Sequence, residues 1–267
     1  MRVFVSVDIE GVAGITGWDE ARKGQPGYSA FRAQMDAEAA AACSGALAAG
    51  ATDIVVKDAH GDGRNLAPSA LPAPSRLIRG YNGHPFAMVQ GLDETFEAVL
   101  FIGYHSRAGS GGNPLAHTLS SRKVSELRLD GIPTSELRIH TLAAGTVGVP
   151  VVLVTGDKAL CAEAETLVPG CRTVAVSEGQ GASTTSLHPT EAVALIQHEA
   201  EVALRSIESA PLVPQGPHRL EVEYREQATA FARSHYPGAA LVDDRTIGLD
   251  VEEYTDVLRA LIFLVGL

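Results

Sequence analysis

Cysteine is scarce: Cys43, Cys161 and Cys171 are the only three in 267 residues. They are odd in number and form no C-x-x-C pair, which excludes a disulfide framework and a thiolate zinc knuckle and points to a reducing compartment, the cytoplasm. Nor is a secretory leader expected. The chain enters a strand-like run at once, Arg2-Val-Phe-Val-Ser-Val-Asp8, without the charged region, apolar stretch and cleavage site of a signal peptide. Long apolar runs are missing too: Leu142 to Gly156 is interrupted by glycine and proline, and Ala260 to Leu267 is too short, so no membrane span is expected. Basic residues are outnumbered, 21 against 32 acidic, for a net charge of -11. With no Lys/Arg-rich run, the electrostatic footprint of a nucleic-acid binder is absent.

What is there is an alternation of short apolar runs with helical segments. Val3 to Val7, Asp53 to Lys57, Ala98 to Tyr104 and Val149 to Val154 read as buried strands of near-continuous apolar character. Ser29 is placed to cap a long Ala-rich helix running to about Ala49, which Gly50 can end in the left-handed conformation. Helices are predicted over Thr134 to Ala144, Lys158 to Val168 and Pro189 to Ser209, with a short strand at Thr173 to Val176. These elements predict a layered α/β fold, a mainly parallel sheet flanked by helices, over residues 1–209. After the proline-rich stretch Ser209 to Pro217 the pattern changes. Leu220-Glu-Val-Glu-Tyr224 alternates as a half-exposed strand, and helices are predicted at Gln227 to Ser234 and Val251 to Phe263, so residues 210–267 are expected to form a smaller α+β lobe.

Polar residues that can bind metals recur where the strands end. Asp8 and Glu10 close the first strand, the edge where open α/β sheets place their sites. Two carboxylates spaced by two share one face and repel unless a cation lies between them; alternatively one caps a turn and the other is solvated. The second strand runs into Asp58-Ala-His60-Gly61, where His60 is either a ligand or a satisfied loop residue, and Asp58 either orients an imidazole or is a plain loop aspartate. The third strand ends in Gly103-Tyr-His105. Recurrence at one edge of a parallel sheet favours a functional reading over chance. Glu136 opens a helix, where the dipole alone explains a carboxylate, and His140 follows one turn later on the same face. His117, among apolar residues, reads by itself as a core histidine. Three carboxylates with two imidazoles suit zinc, manganese or cobalt, are numerous enough for two ions, and imply hydrolysis.

Taken together, Ser6-Val-Asp-Ile-Glu-Gly11, Lys57-Asp-Ala-His-Gly61, Met88-Val-Gln-Gly-Leu-Asp93, Leu100-Phe-Ile-Gly-Tyr-His105 and Ser135-Glu-Leu-Arg138 resemble the D-aminopeptidase family of binuclear zinc metallopeptidases. The resemblance is dense over about residues 1–180 and looser beyond. It implies two zinc ions held by Asp8, Glu10, His60, His105 and Glu136, and a catalytic role for His117, for which proton transfer or stabilisation of the tetrahedral intermediate is the physically preferred assignment. It further implies release of N-terminal residues, notably D-Ala, from short peptides, and assembly into a closed homo-oligomeric ring, a decamer. Where the family usually reads Gly-Glu-x-Gly-x-Asn, this chain has Ser135-Glu-Leu-Arg-Ile-His140, which puts an arginine and an imidazole beside the site. The competing readings are a related di-metal amidase or phosphoesterase and a non-catalytic peptide-binding ring protein. Asp58-Ala-His60 matches the D-x-H element of two-metal phosphatases, but their G-N-H-E element and a Gly-rich phosphate loop are missing.

Overall fold

Alternation within the first strand sends Val3, Val5 and Val7 to one face and Phe4 to the other, all fully buried, so this strand must lie inside a sheet covered on both sides. A computed structural model, describing residues 1–266, shows that arrangement. In chain order the first elements are β1 (Arg2–Val7), α1 (Trp18–Ala21), α2 (Tyr28–Ala48), β2 (Asp53–Asp58), β3 (Ser75–Ile78) and β4 (Ala98–Tyr104). Then come β5 (Val124–Leu129), β6 (Ile132–Pro133), α3 (Glu136–Thr146), β7 (Val151–Asp157), α4 (Lys158–Leu167), β8 (Arg172–Gln180), β9 (Ser183–Ser186) and α5 (Pro189–Arg205). The chain continues through β10 (His218–Tyr224), α6 (Gln227–Arg233), β11 (Ala239–Leu241), β12 (Thr246–Val251) and α7 (Tyr254–Leu261).

Seven strands form one sheet in the order β3-β2-β1-β4-β7-β8-β9, parallel throughout except for β9. The predicted layered α/β fold with a mainly parallel sheet is therefore present. Helices α2 and α5 pack on each other and supply Met35, Ala39, Ile196 and Ala200 to the core over one face. The other face is covered by Leu137 and Ile139 of α3, Leu160 of α4, and the inner side of a second sheet. That second sheet is antiparallel, in the order β11-β12-β10-β5-β6. Residues after 210 supply three of its strands, and residues 124–133 supply the other two, paired to β10 by Leu220↔Leu129 and Val222↔Leu127.

Two boundaries differ from the sequence reading. Helix α2 starts at Tyr28 behind Gly27, not at a Ser29 cap, because the buried Tyr28 hydroxyl donates to Asn65 Oδ1 at 2.7 Å and pins the first turn. The predicted helix from Val251 begins only at Tyr254, since Thr246–Val251 is claimed by pairing with β10. Gly50 does end the preceding helical run with φ at 91°.

One buried acid in this scaffold has no cation. Glu38 of α2 accepts from the Ala13 amide at 2.8 Å and from Gln34 Nε2 at 2.9 Å, while its Oε2 has no partner. Burial, opposed by those two donors, lifts its carboxyl from 4.5 to about 7. Between those values the native state keeps a proton that the unfolded chain has released, so Glu38 costs stability as pH rises through this window. Glu38→Gln is expected to raise the unfolding free energy by roughly 3 kcal/mol at pH 8 and to leave it nearly unchanged at pH 4.5. An equal gain at both pH values in denaturant titrations would sink this account.

Candidate metal centre and active site

Register brings the chemistry to one edge. Val7 pairs with Asp58 on one side and Ile102 on the other, so β1 and β2 end level and β4 runs two residues further. The strand order turns at β1, with β2 and β3 on one side and β4 on the other, which opens a crevice at the carboxyl ends. Asp8 and Glu10 follow β1, His60 follows β2, His105 follows β4, and Glu136 arrives on the first turn of α3. There Ser135 caps the helix by accepting from the Arg138 amide.

Each imidazole is held the same way. His60 Nε2 donates to the Ala21 carbonyl at 2.7 Å, leaving Nδ1 at 2.9 Å from Glu10 Oε2 and 3.2 Å from Asp8 Oδ1. His105 Nδ1 donates to the Ser106 carbonyl at 2.9 Å, and its Nε2 sits 3.6 Å from both Asp8 Oδ2 and Glu136 Oε2. His117 Nδ1 donates to the Leu115 carbonyl at 3.0 Å, which turns Nε2 to within 3.6 Å of Glu136 Oε1. A backbone carbonyl thus occupies one nitrogen of each ring and turns the other, which can carry a proton or bind an ion, toward the carboxylates. Two ligand groups result, Asp8 with Glu10 and His60, and His105 with His117 and Glu136. Asp8 reaches both, one oxygen toward His60 and the other toward His105.

The electrostatics are those of a site that wants cations. Burial and the neighbouring Glu10 lift the Asp8 carboxyl to about 7. Burial alone would raise Glu10 and Glu136 as well, but His60 holds Glu10 well below the usual range and His105 brings Glu136 to about 2. His105 itself, despite burial, is drawn up to about 10 by Glu136. His117 moves the opposite way, lowered by burial and by His105 stacked on it at 4.3 Å. At the centre His105 Nε2 is fully buried with no hydrogen-bond partner, and Glu10 Oε2 has only its ionic contact with His60. Buried orphan donors and acceptors cost about 1 to 3 kcal/mol each, so their presence among three carboxylates fits residues shaped for metal ions. The oxygen and imidazole set, without thiolate, fits zinc.

A family profile described as D-aminopeptidase matches residues 1–263. The chain belongs to the D-aminopeptidase family. A D-aminopeptidase of Bacillus subtilis (strain 168) is 30% identical over 270 residues, spanning 100% of this chain and 97% of that protein. Among solved structures, the Zn-dependent D-aminopeptidase DppA from Bacillus subtilis, described as a self-compartmentalizing protease, superposes with a TM-score of 0.94 at 29% identity, over 100% of this chain and 97% of that one. As a D-aminopeptidase the chain is a peptidase hydrolase and a metal-dependent enzyme, which disfavours the phosphoesterase and non-catalytic readings.

All six residues singled out in the sequence converge in this D-aminopeptidase. Asp58 does not orient an imidazole: its Oδ2 accepts from the amides of Asn65 and Leu66, and its Oδ1 accepts from Asn65 Nδ2, so it shapes the loop that carries His60. His140 is buried against its own helix, its Nδ1 donating to the Glu136 carbonyl at 2.7 Å, with burial lowering it to about 4. It does not line the cavity onto which Asp8, Glu10 and Glu136 open.

Several supporting residues were not foreseen. Asp157, at the end of β7, accepts from the Ser106 amide at 2.7 Å and from Asn113 Nδ2 at 3.2 Å; the same Asn113 nitrogen donates to the Glu10 carbonyl at 3.0 Å. The available signal was an acid closing a fourth apolar strand. Lys57, fully buried, ties β2 to the Gly80 carbonyl at 3.1 Å and lies 3.9 Å over the Tyr81 ring, burial pushing it down to about 8. A cavity of about 290 Å³ opens on Asp8, Glu10, His60, His117 and Glu136, walled by Trp18, Arg22, Tyr81, Met88 and Arg122.

Proposed function

We propose that this chain releases N-terminal residues, D-amino acids such as D-Ala foremost, from short peptides, with two zinc ions held by Asp8, Glu10, His60, His105 and Glu136. The observation that carries the reading is the division of Asp8, whose two oxygens face separate ligand groups, as a carboxylate shared between two ions does. When bound, the ions polarise the scissile carbonyl and lower the pKa of water. The protein's own part is positioning and proton traffic. His117 faces the cavity with a free Nε2 and a lowered pKa, so near neutral pH it is a base able to take a proton from attacking water and pass it to the departing amine. Trp18 packs edge-on against the His117 ring at 5.2 Å and His105 stacks on its other side, which holds that nitrogen in place.

We also assign the chain to a closed homo-oligomeric ring, a decamer, supported by the self-compartmentalizing description of the solved relative. A cytoplasmic location is supported by three free, buried cysteines; no helix among the described residues is long and apolar enough to cross a membrane.

Elemental analysis of the purified protein, with turnover of D-Ala-D-Ala and L-Ala-L-Ala, tests the reading. About two zinc ions per chain and faster cleavage of the D-peptide are expected. In His117→Ala, metal is retained while kcat falls by about 10²- to 10⁴-fold, the contribution of a general base. Loss of metal in that variant would make His117 a ligand instead. Protein that stays metal-free after supplementation with zinc, manganese or cobalt would overturn the mechanism.

A further inference from the structure

The wall of the cavity carries two guanidinium groups that this chemistry does not use. Arg22, immediately after α1, lies 4.7 Å over the Trp18 ring, and Trp18 in turn touches His117. Arg122 precedes β5 and lines the same cavity beside Ser120 and Ser121. Neither arginine forms an ion pair among the described residues, a state shared with Arg79, Arg138, Arg225 and Arg233, while Arg2, Arg76, Arg172 and Arg245 are matched to carboxylates. In a chain of net charge -11 an unmatched pair of cations in one small cavity is a local reversal of sign. Asp8, Glu10 and Glu136 line the same cavity.

The cavity therefore combines acidic groups suited to metal with two cationic groups. Its matching ligand carries an amine or carbonyl at one end and an anion at the other. At about 290 Å³ it is at the small end of ligand pockets, sized for two or three small residues. We propose that Arg22 and Arg122 bind the substrate's terminal α-carboxylate, so that the enzyme selects short peptides with a free C-terminus. Guanidinium groups suit this task because their planar donors match a carboxylate in forked pairs, and stacking on Trp18 holds Arg22 ready in one orientation. The inference rests on the aminopeptidase reading for its chemistry, and on the two arginines alone for its selectivity.

The test compares D-Ala-D-Ala with D-alanyl-D-alaninamide on the zinc-loaded protein. Calorimetric binding of the uncleavable reduced-bond analogue of each runs in parallel. The free acid is expected to be favoured by about 10- to 100-fold in kcat/KM and in affinity, as charge-assisted hydrogen bonds allow. Arg122→Gln and Arg22→Gln are each expected to cut that preference by about tenfold, whereas Arg122→Lys retains part of it. Equal binding of acid and amide by the parent protein would overturn the proposal, as would an unchanged preference in both glutamine variants. If neither peptide is cleaved while the analogue acid still binds more tightly than its amide, the carboxylate site stands and the aminopeptidase reading fails.

Discussion

Asp8→Ala is expected to abolish both zinc retention and peptide turnover while leaving the fold intact. Asp8 is the one side chain whose oxygens reach both ligand groups, His60 at 3.2 Å and His105 at 3.6 Å. Loss of a residue that merely supports a ligand costs about 10- to 100-fold in metal affinity, so loss of a carboxylate that reaches both groups is expected to exceed that range. The stability readout separates this from general damage. Without metal, three buried carboxylates repel, and burial with Glu10 already lifts Asp8 to about 7, so removing it relieves the apoprotein. Metal-free Asp8→Ala is therefore expected to melt no lower than the metal-free parent. With zinc at about 1,000 times Kd the parent alone gains roughly 4 kcal/mol. A comparable zinc-dependent rise in the melting temperature of the variant would remove Asp8 from the centre of the site.

The second large effect comes from a residue with no side chain. Gly11 lies where the loop after β1 crosses the end of β4, its amide donating to the Gly103 carbonyl at 2.8 Å. A Cβ added there would lie 1.7 Å from the Tyr104 carbonyl oxygen and 2.6 Å from its carbon. Both are backbone atoms of a central strand and cannot rotate away, so the loop and the strand end must separate. Glu10 is adjacent to the first and His105 to the second, and the ligand groups move apart with them. Gly11→Ala is expected to destabilise the protein by about 4 kcal/mol or more and to lower zinc occupancy, measured by urea denaturation and elemental analysis. A variant as stable as the parent, with full zinc, would show that the crossing has slack.

Much of this was legible in the chain. Near-continuous apolar runs such as Val3 to Val7 have few uses other than a strand buried on both faces, and polar residues placed just after three such runs must gather at one edge once the strands are parallel. Asp8, Glu10, His60 and His105 could be picked out on that argument alone. Glu136 and His117 could not, because each has an ordinary explanation as a helix-start acid or a core histidine. Only the family motif pointed to them before their ring and carboxylate positions were known.

Other residues were out of reach of pattern reading for a physical reason. Asp157 and Asn113 brace Glu10 from 147 and 103 positions away, contacts set by the crossing of β4, β7 and their loops and not by any local periodicity. Arg22 and Arg122 stand a hundred residues apart on irregular segments, where no hydrophobic repeat constrains which way a side chain faces. By itself, then, the sequence determined the class of fold, the edge at which the chemistry sits and the donor set available to a metal, because strand burial and ligand chemistry are local properties of residue type. The tertiary structure decided which ring nitrogens face inward, which carboxylate reaches both groups of candidate ligands and which cations line the same cavity, because those depend on long-range contacts that fix tautomers, rotamers and the small volume they enclose.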